Sequence, residues 1–313
     1  MTIGQKMHKE KYDNGILEWK SVKECNQCLK CATLHPLVSV IDLEKDVISH
    51  YSYIKCNFYA VLLLEHSYCD YYYGRRLCDY SDGCMVFLTP EKCFELDMEE
   101  CDSCLNKGKL LVFHRDLMEG TALESHFEED YSFFRYQDNE SLHISNRERL
   151  VVYNCLDEIQ KELSHDIDRF SKLLLSRRVE LLLDYCRRFY ERQFIIRHEE
   201  NGNLLRCFRF QLEEVIKSDG LRDSKITSNE YWAEVFQKSP EYWKDLLKYE
   251  TGLTVEEYVL EKSFSFAIQW IRESEKPVGV IAEMLGFPSV YCFNRTFKKM
   301  MGCSPNEYCK NLC

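Results

Sequence analysis

The period of apolar and polar positions changes along this chain. Before about residue 145, the runs "CNFYAVLLL" (56–64), "YCDYYYG" (68–74), "CMVFLTP" (84–90) and "KLLVFH" (109–114) are β-branched or aromatic, separated by Gly, Asp and Pro. Runs so punctuated predict the short strands of an antiparallel barrel or sandwich. From about Ser145 to Phe194 the period becomes helical. Val151, Val152, Cys155, Leu156 and Ile159 form one stripe, and "LLLSRRVELLLDYCRRFYERQF" forms a second, with more apolar surface than a small barrel's edge uses, which predicts a partner helix. "HEENGN" and "KSDGLRDSK" predict a bend and a hinge.

Beyond the hinge, two helix pairs follow. In the last one, Val280, Ile281, Met284 and Leu285 recur at helical spacing, and Ala282 lets a second helix cross closely. Gly286 turns the chain and Pro288–Ser289 start the next helix. There Phe293, Phe297 and Met300 share an inward face, while Tyr291, Asn294, Arg295 and Lys298 project from the opposite one. The first pair, within Ile226–Tyr258, has Ala233, Val235 and Phe236 before a Ser239–Pro240 start, then Trp243, Leu246 and Leu247, and a Thr251–Gly252 stop. Between them, Val255–Glu273 reads as one helix of roughly 19 residues, on the order of 28 Å long. A turn of B-DNA measures about 34 Å, so the two second helices suit successive major grooves.

The motifs "IAEMLGF" and "FNRTFKKMMGCSPNEY" make Ile226–Leu312 resemble the DNA-binding domain of AraC/XylS-type transcriptional regulators. The stretches "YSFFRYQDNESLHIS", "IQKELSHDIDRFSK" and "ELLLDYCRRFYERQF" resemble a Bacteroidetes-like group of them. The resemblance implies an α+β fold: a cupin-like antiparallel β-barrel sensor over 1–145, a helical dimerisation and linker segment over 146–218, and over 219–313 an all-α domain with two helix-turn-helix units. It implies base contacts from Val290, Tyr291, Asn294 and Arg295, with Lys298 beside them, and in the first unit Glu241, Lys244 and Asp245, with Lys248 on phosphate. The implied partners are promoter DNA, a second copy of the chain, RNA polymerase if the protein activates, and a small-molecule effector.

The first unit departs from that pattern. Asn229 and Lys238 stand where apolar packing residues are usual, and Asp245 where a basic one is. From Asp219 onward there are 12 basic and 14 acidic side chains, about −2 in net charge. Phosphate neutralisation supplies most nonspecific affinity, so binding is expected to be modest, salt-sensitive and dependent on dimerisation. A whole-chain net charge of −11 over 313 residues argues against a nucleic-acid-coating protein and confines any DNA-reading surface to a local patch. The alternative is an interaction module of the same fold that has lost DNA binding.

The polar start "MTIGQKMHKEKYDNG" predicts no secretory signal, and "YAVLLL", the longest apolar run, is strand-length. A cytoplasmic protein without membrane spans is therefore expected. A Gly-rich phosphate loop, a His-Glu-x-x-His helix and a Gly-x-Ser-x-Gly elbow are all missing, and His35, His50, His66 and His114 are isolated. No enzyme is predicted. His114 ends a predicted strand and is expected at the barrel mouth.

Cysteine is the unusual component, at 17 residues. Cys25, Cys28 and Cys31 in "CNQCLKC", with Cys101 and Cys104 in "CDSC", have spacings that suit a zinc ion, or else an iron–sulfur cluster, held by two loop knuckles. Cys56, Cys69, Cys78, Cys84 and Cys93 read as small apolar fillers. Read as sensors instead, the clusters would serve a metal- or redox-responsive regulator.

Overall fold

The structure is a computed structural model that describes residues 16–43, 53–65, 73–90, 92–95, 108–218, 221, 223–273 and 276–312. It divides into two compact units, Met1–Arg197 and His198–Cys313.

The first unit opens with β1 (Ile16–Trp19), α1 (Val22–Cys28), β2 (Val38–Leu43), β3 (Tyr53–Cys56), β4 (Tyr59–Leu64), β5 (Gly83–Leu88), β6 (Cys93–Glu95) and β7 (Gly108–Phe113). Helix α2 (Ala122–Asp130), strand β8 (Leu142–Ile144) and the long helices α3 (Asn146–Leu163) and α4 (Ser171–Ile196) complete it. Among the described residues the strands form two sheets, ordered β1-β3-β6 and β2-β7-β4-β5-β8, where one antiparallel barrel was expected. The β1–β3 pairing is parallel, with Trp19 opposite Cys56. Most of the predicted strand "YCDYYYG" lies outside the described residues.

The centre of the larger sheet is covered on both faces, so β4 and β5 are buried along their whole length instead of alternating. Every residue of β4 is buried. Successive side chains point to opposite faces, and here the two faces meet different cores. Ala60, Leu62 and Leu64, with Cys84, Val86, Leu88, Leu110 and Val112, pack with Trp19, Val22, Cys25, Leu29, Cys56 and Phe58. On the other face Tyr59 lies 4.8 Å from Phe127 and 5.3 Å from Phe134, and Phe87 lies 4.5 Å from Phe133 and 6.0 Å from Tyr190, ring centre to ring centre. Such rings bury roughly 150–250 Å² each, and their edge-to-face contacts add about 0.5–1.5 kcal/mol beyond that area.

Helix α3 starts with a reciprocal cap: Ser145 Oγ accepts from Glu148 N–H, while the Glu148 carboxylate accepts from Ser145 N–H. Its predicted stripe is mostly buried, with Val151 half-buried at the margin. The C-terminal turns of α4 hold β8, one of the two edge strands of the larger sheet. Gln193 Oε1 accepts from the His143 amide at 2.8 Å, and Arg192 Nη2 donates to the His143 carbonyl at 2.7 Å. Two backbone groups that an edge strand would leave open are thereby satisfied.

The second unit is helical: α5 (His198–Lys217), α6 (Asn229–Val235), α7 (Pro240–Thr251), α8 (Val255–Arg272), α9 (Val278–Met284), α10 (Val290–Met301) and α11 (Pro305–Leu312). The expected bend at 198–203 is instead the first turn of α5, where Glu199 and Glu200 suit the positive end of the helix dipole. The break comes at Arg197. Phe208 of α5 sits 4.8 Å from Trp232, 5.1 Å from Trp243 and 5.3 Å from Tyr258, so α5, expected in the middle segment, builds the core of the second unit. Part of the predicted hinge, at 219, 220 and 222, lies outside the described residues. Among the described residues, no helix is long and apolar enough to cross a membrane.

Candidate nucleic-acid interface

The second unit contains the same device twice, about fifty positions apart. In the first copy the chain leaves α6 through Gln237, in the left-handed region at φ 53°, with Lys238 N–H donating to the Ala233 carbonyl at 2.8 Å. In the second it leaves α9 through Gly286 at φ 71°, with Phe287 N–H donating to the Ala282 carbonyl at 3.0 Å. Each second helix begins on a serine cap: Ser239 Oγ accepts from the Tyr242 amide and Ser289 Oγ from the Cys292 amide. Each ends on a left-handed glycine, Gly252 or Gly302, and each following helix is boxed in, by Thr254 with Glu257 and by Ser304 with Glu307. Helix α8 joins the copies over 18 residues, about 27 Å at the usual rise.

Helix α10 is anchored by Phe293 and Phe297, both fully buried, with Phe264 of α8 stacked 5.8 Å from Phe293. Met300, expected beside them, is exposed; Tyr308 of α11 meets Phe297 at 5.8 Å. Val280 and Val235, also expected inward, are exposed, while Ile281, Met284 and Leu285 are buried. On the outer face Tyr291, Arg295, Lys298 and Lys299 are exposed, and Val290 is exposed at the first position of the helix, on the side of Phe293 and Phe297. Asn294 is half-buried, and its Oδ1 is closed to solvent with no hydrogen-bond partner.

The first copy differs. Trp243, Leu246 and Leu247 anchor α7 as expected. Of the positions expected to contact DNA, Lys248 is exposed, whereas Glu241, Lys244 and Asp245 are half-buried. Lys238 lies over the Tyr242 ring at 5.3 Å, a cation–π contact that gives its stem a packing role. Asn229 is half-buried with Oδ1 unpartnered, a polar atom where an apolar side chain would cost less.

The cysteines sit elsewhere. Cys25 and Cys28 lie on helix α1, not on a loop knuckle, and Cys31 follows a helix-ending turn in which its amide donates to the Asn26 carbonyl at 2.8 Å. Burial raises the Cys25 thiol pKa well above its ordinary value, and neighbouring Cys56, Cys28 and Cys31 push it the same way. Burial likewise pushes Cys56 up to about 11. Among the described residues no three metal-binding side chains converge on one point. Cys69, Cys101 and Cys104 lie outside the described residues. His114, expected at a barrel mouth, caps a short turn: its Nδ1 accepts from the Asp116 amide at 3.3 Å.

Comparison with known proteins agrees with this geometry. A family described as "Helix-turn-helix domain" matches residues 232–311. "Probable transcriptional regulator LumQ" of Photobacterium leiognathi is 38% identical over 63 residues, covering 20% of this chain and 25% of that protein. "Multiple antibiotic resistance protein MarA" of Escherichia coli is 32% identical over 63 residues, covering 20% of this chain and 50% of that protein. The chain thus spans between a quarter and a half of the length of these curated relatives. Among solved structures, ToxT from Vibrio cholerae aligns over 88% of this chain and 97% of its own, at 15% identity and a TM-score of 0.27, a score too low to carry an argument. Over residues 232–311 the chain carries an AraC-type helix-turn-helix domain.

Proposed function

We propose that the chain is a sequence-specific, one-component transcription regulator, which sets α7 and α10 into successive major grooves of promoter DNA. The observation that carries this reading is the duplicated turn-and-helix device, with two capped helices joined by a rod of about 27 Å against a DNA repeat of about 34 Å. Arg295, Lys298 and Lys299, exposed together on α10, suit guanine and phosphate.

Homodimerisation through α3 and α4 belongs to the same proposal. Leu174 and Leu181 are exposed along one side of α4, Phe170 just before its first residue, and Leu150 on α3. A groove lined by Val151, Cys155, Leu181 and Tyr185, with Glu158 and Arg178 paired at 2.8 Å, runs between the two helices. The cupin-like reading of the first unit, its control by a small-molecule effector, and contact with RNA polymerase during activation extend the family resemblance.

A mobility-shift titration of the full chain against DNA selected from a random pool tests the proposal. Arg295→Ala is expected to weaken the specific complex by about 1–3 kcal/mol, and Lys298→Ala to flatten the salt dependence by roughly 0.9 in log–log slope. Equal binding by parent and Arg295→Ala removes Arg295 from the reading surface. The half-buried Glu241 and Asp245 favour a second reading, an interaction module that no longer binds DNA; failure to retain any DNA at low salt supports it.

A further inference from the structure

Resting on the DNA-reading proposal, we infer that α10 recognises thymine through its 5-methyl group, with Val290 and Tyr291 as the apolar contact and Arg295 as the polar base reader. Val290 and Tyr291 hold the first two helical positions of α10 and are 42% and 74% exposed. Phe293 and Phe297 fill the inward face, while Val290, close to Gly279 of α9, and Tyr291 keep apolar surface exposed in the first turn. Single exposed apolar residues are ordinary; this pair is adjacent and sits at the N-terminal end of the helix, where a recognition helix meets base edges. Arg295 and Lys298 share the exposed side of Tyr291 at i+4 and i+7 and, with Lys299, complement the phosphates that flank a groove. In the major groove, the apolar feature a base presents is the thymine methyl.

Asn294 narrows the alternatives. Gripping adenine takes both amide atoms of asparagine, one donating and one accepting. Here Oδ1 is shut away from solvent without a partner, and exchanging the two amide atoms would only bury the donor instead. Asn294 is therefore not presented for adenine. The positions fifty residues earlier hold Pro240, Glu241, Lys244 and Asp245, all half-buried, so α7 lacks the apolar pair. Methyl dependence should be confined to the groove segment that α10 occupies.

The experiment uses an operator selected from random DNA with the full chain, in which each thymine is replaced singly by deoxyuridine. Loss of one methyl contact, at about 0.8 kcal/mol per buried carbon, corresponds to roughly fourfold weaker binding. One or two thymines within a single groove segment should show it, and Val290→Ala combined with Tyr291→Ala should abolish the difference between thymine and deoxyuridine. If every deoxyuridine operator binds like its parent, or the difference persists in the double variant, the thymine assignment is overturned while DNA reading stands. If selection retrieves no operator even at low salt, DNA reading itself fails and this inference with it.

Discussion

Arg197 Nε lies 2.9 Å from Asp79 Oδ1, both side chains buried, at the residue where α4 ends. The same guanidinium donates to the Gly74 carbonyl at 3.3 Å, so the last turn of α4 is bound to the 74–79 loop. Removing one member of a buried pair strands the other charge away from water. Arg197→Met is expected to cost the first unit about 3–5 kcal/mol, and Arg197→Met with Asp79→Leu to recover most of it. Urea midpoints of the three proteins decide this; a double variant no more stable than the single one would refute the stranded-charge account.

His143 titrates against folding. Burial pushes its pKa down from 6.5 to about 4, and the Arg197 and Arg75 charges act in the same direction, partly offset by Asp79 and the Tyr73 carbonyl. The folded chain therefore keeps the ring neutral while the unfolded chain takes up a proton. Stability is full above about pH 6.5, falls as pH drops through the window to about 4, and loses on the order of 3 kcal/mol across it. Denaturation of His143→Gln at pH 7 and pH 4.5 should show a shallower loss than the parent. Parallel losses would clear His143 of the effect.

The two turns make opposite predictions. Gln237 occupies a left-handed position at φ 53° that its counterpart Gly286 occupies at φ 71°. A side chain there costs roughly 1–2 kcal/mol, and glycine avoids that at the expense of a looser unfolded chain. Gln237→Gly should thus raise stability by up to about 1 kcal/mol, and Gly286→Ala should lower it by about 1–2 kcal/mol. Thermal midpoints of the two variants moving in the same direction would contradict this.

Phe208 supplies a ring to a cluster that also contains Trp232 and Trp243. Phe208→Ala should cost the second unit about 3–5 kcal/mol through lost burial and the cavity left behind. A fragment beginning at 221, without α5, should melt below one beginning at 198. Equal midpoints for the two fragments would show α5 to be dispensable.

The helices of the second unit were legible because each carries its own punctuation: Ser239 with Pro240, Ser289, Gly252, Gly286 and Thr254 mark starts and stops that act within four residues. Where α5 docks was not legible, since an apolar stripe states that a helix is covered but not by what. The parallel β1–β3 pairing joins segments far apart in the chain and leaves no local trace. Cysteines three apart suit both a loop and adjacent turns of a helix, so the spacing alone did not place Cys25 and Cys28 on α1. Asn294 falls at the margin of its helix: it follows Phe293 by one residue, a rotation of about 100°, so the spacing left its exposure open.

Because β4 is covered on both sides, greasiness alone does not choose its alignment. Shifting it one place would carry Tyr59, Val61 and Leu63 toward the layer that holds Cys25 and Cys56, and carry Ala60, Leu62 and Leu64 toward the layer of rings. Both arrangements hide oil from water equally well. What separates them is bulk: a tyrosine would be crowded where an alanine belongs, and a void would open beside Phe127 and Phe134. Fidelity of pairing in this sheet is thus a question of volume, and Ala60 is the place where an added methylene would be felt first.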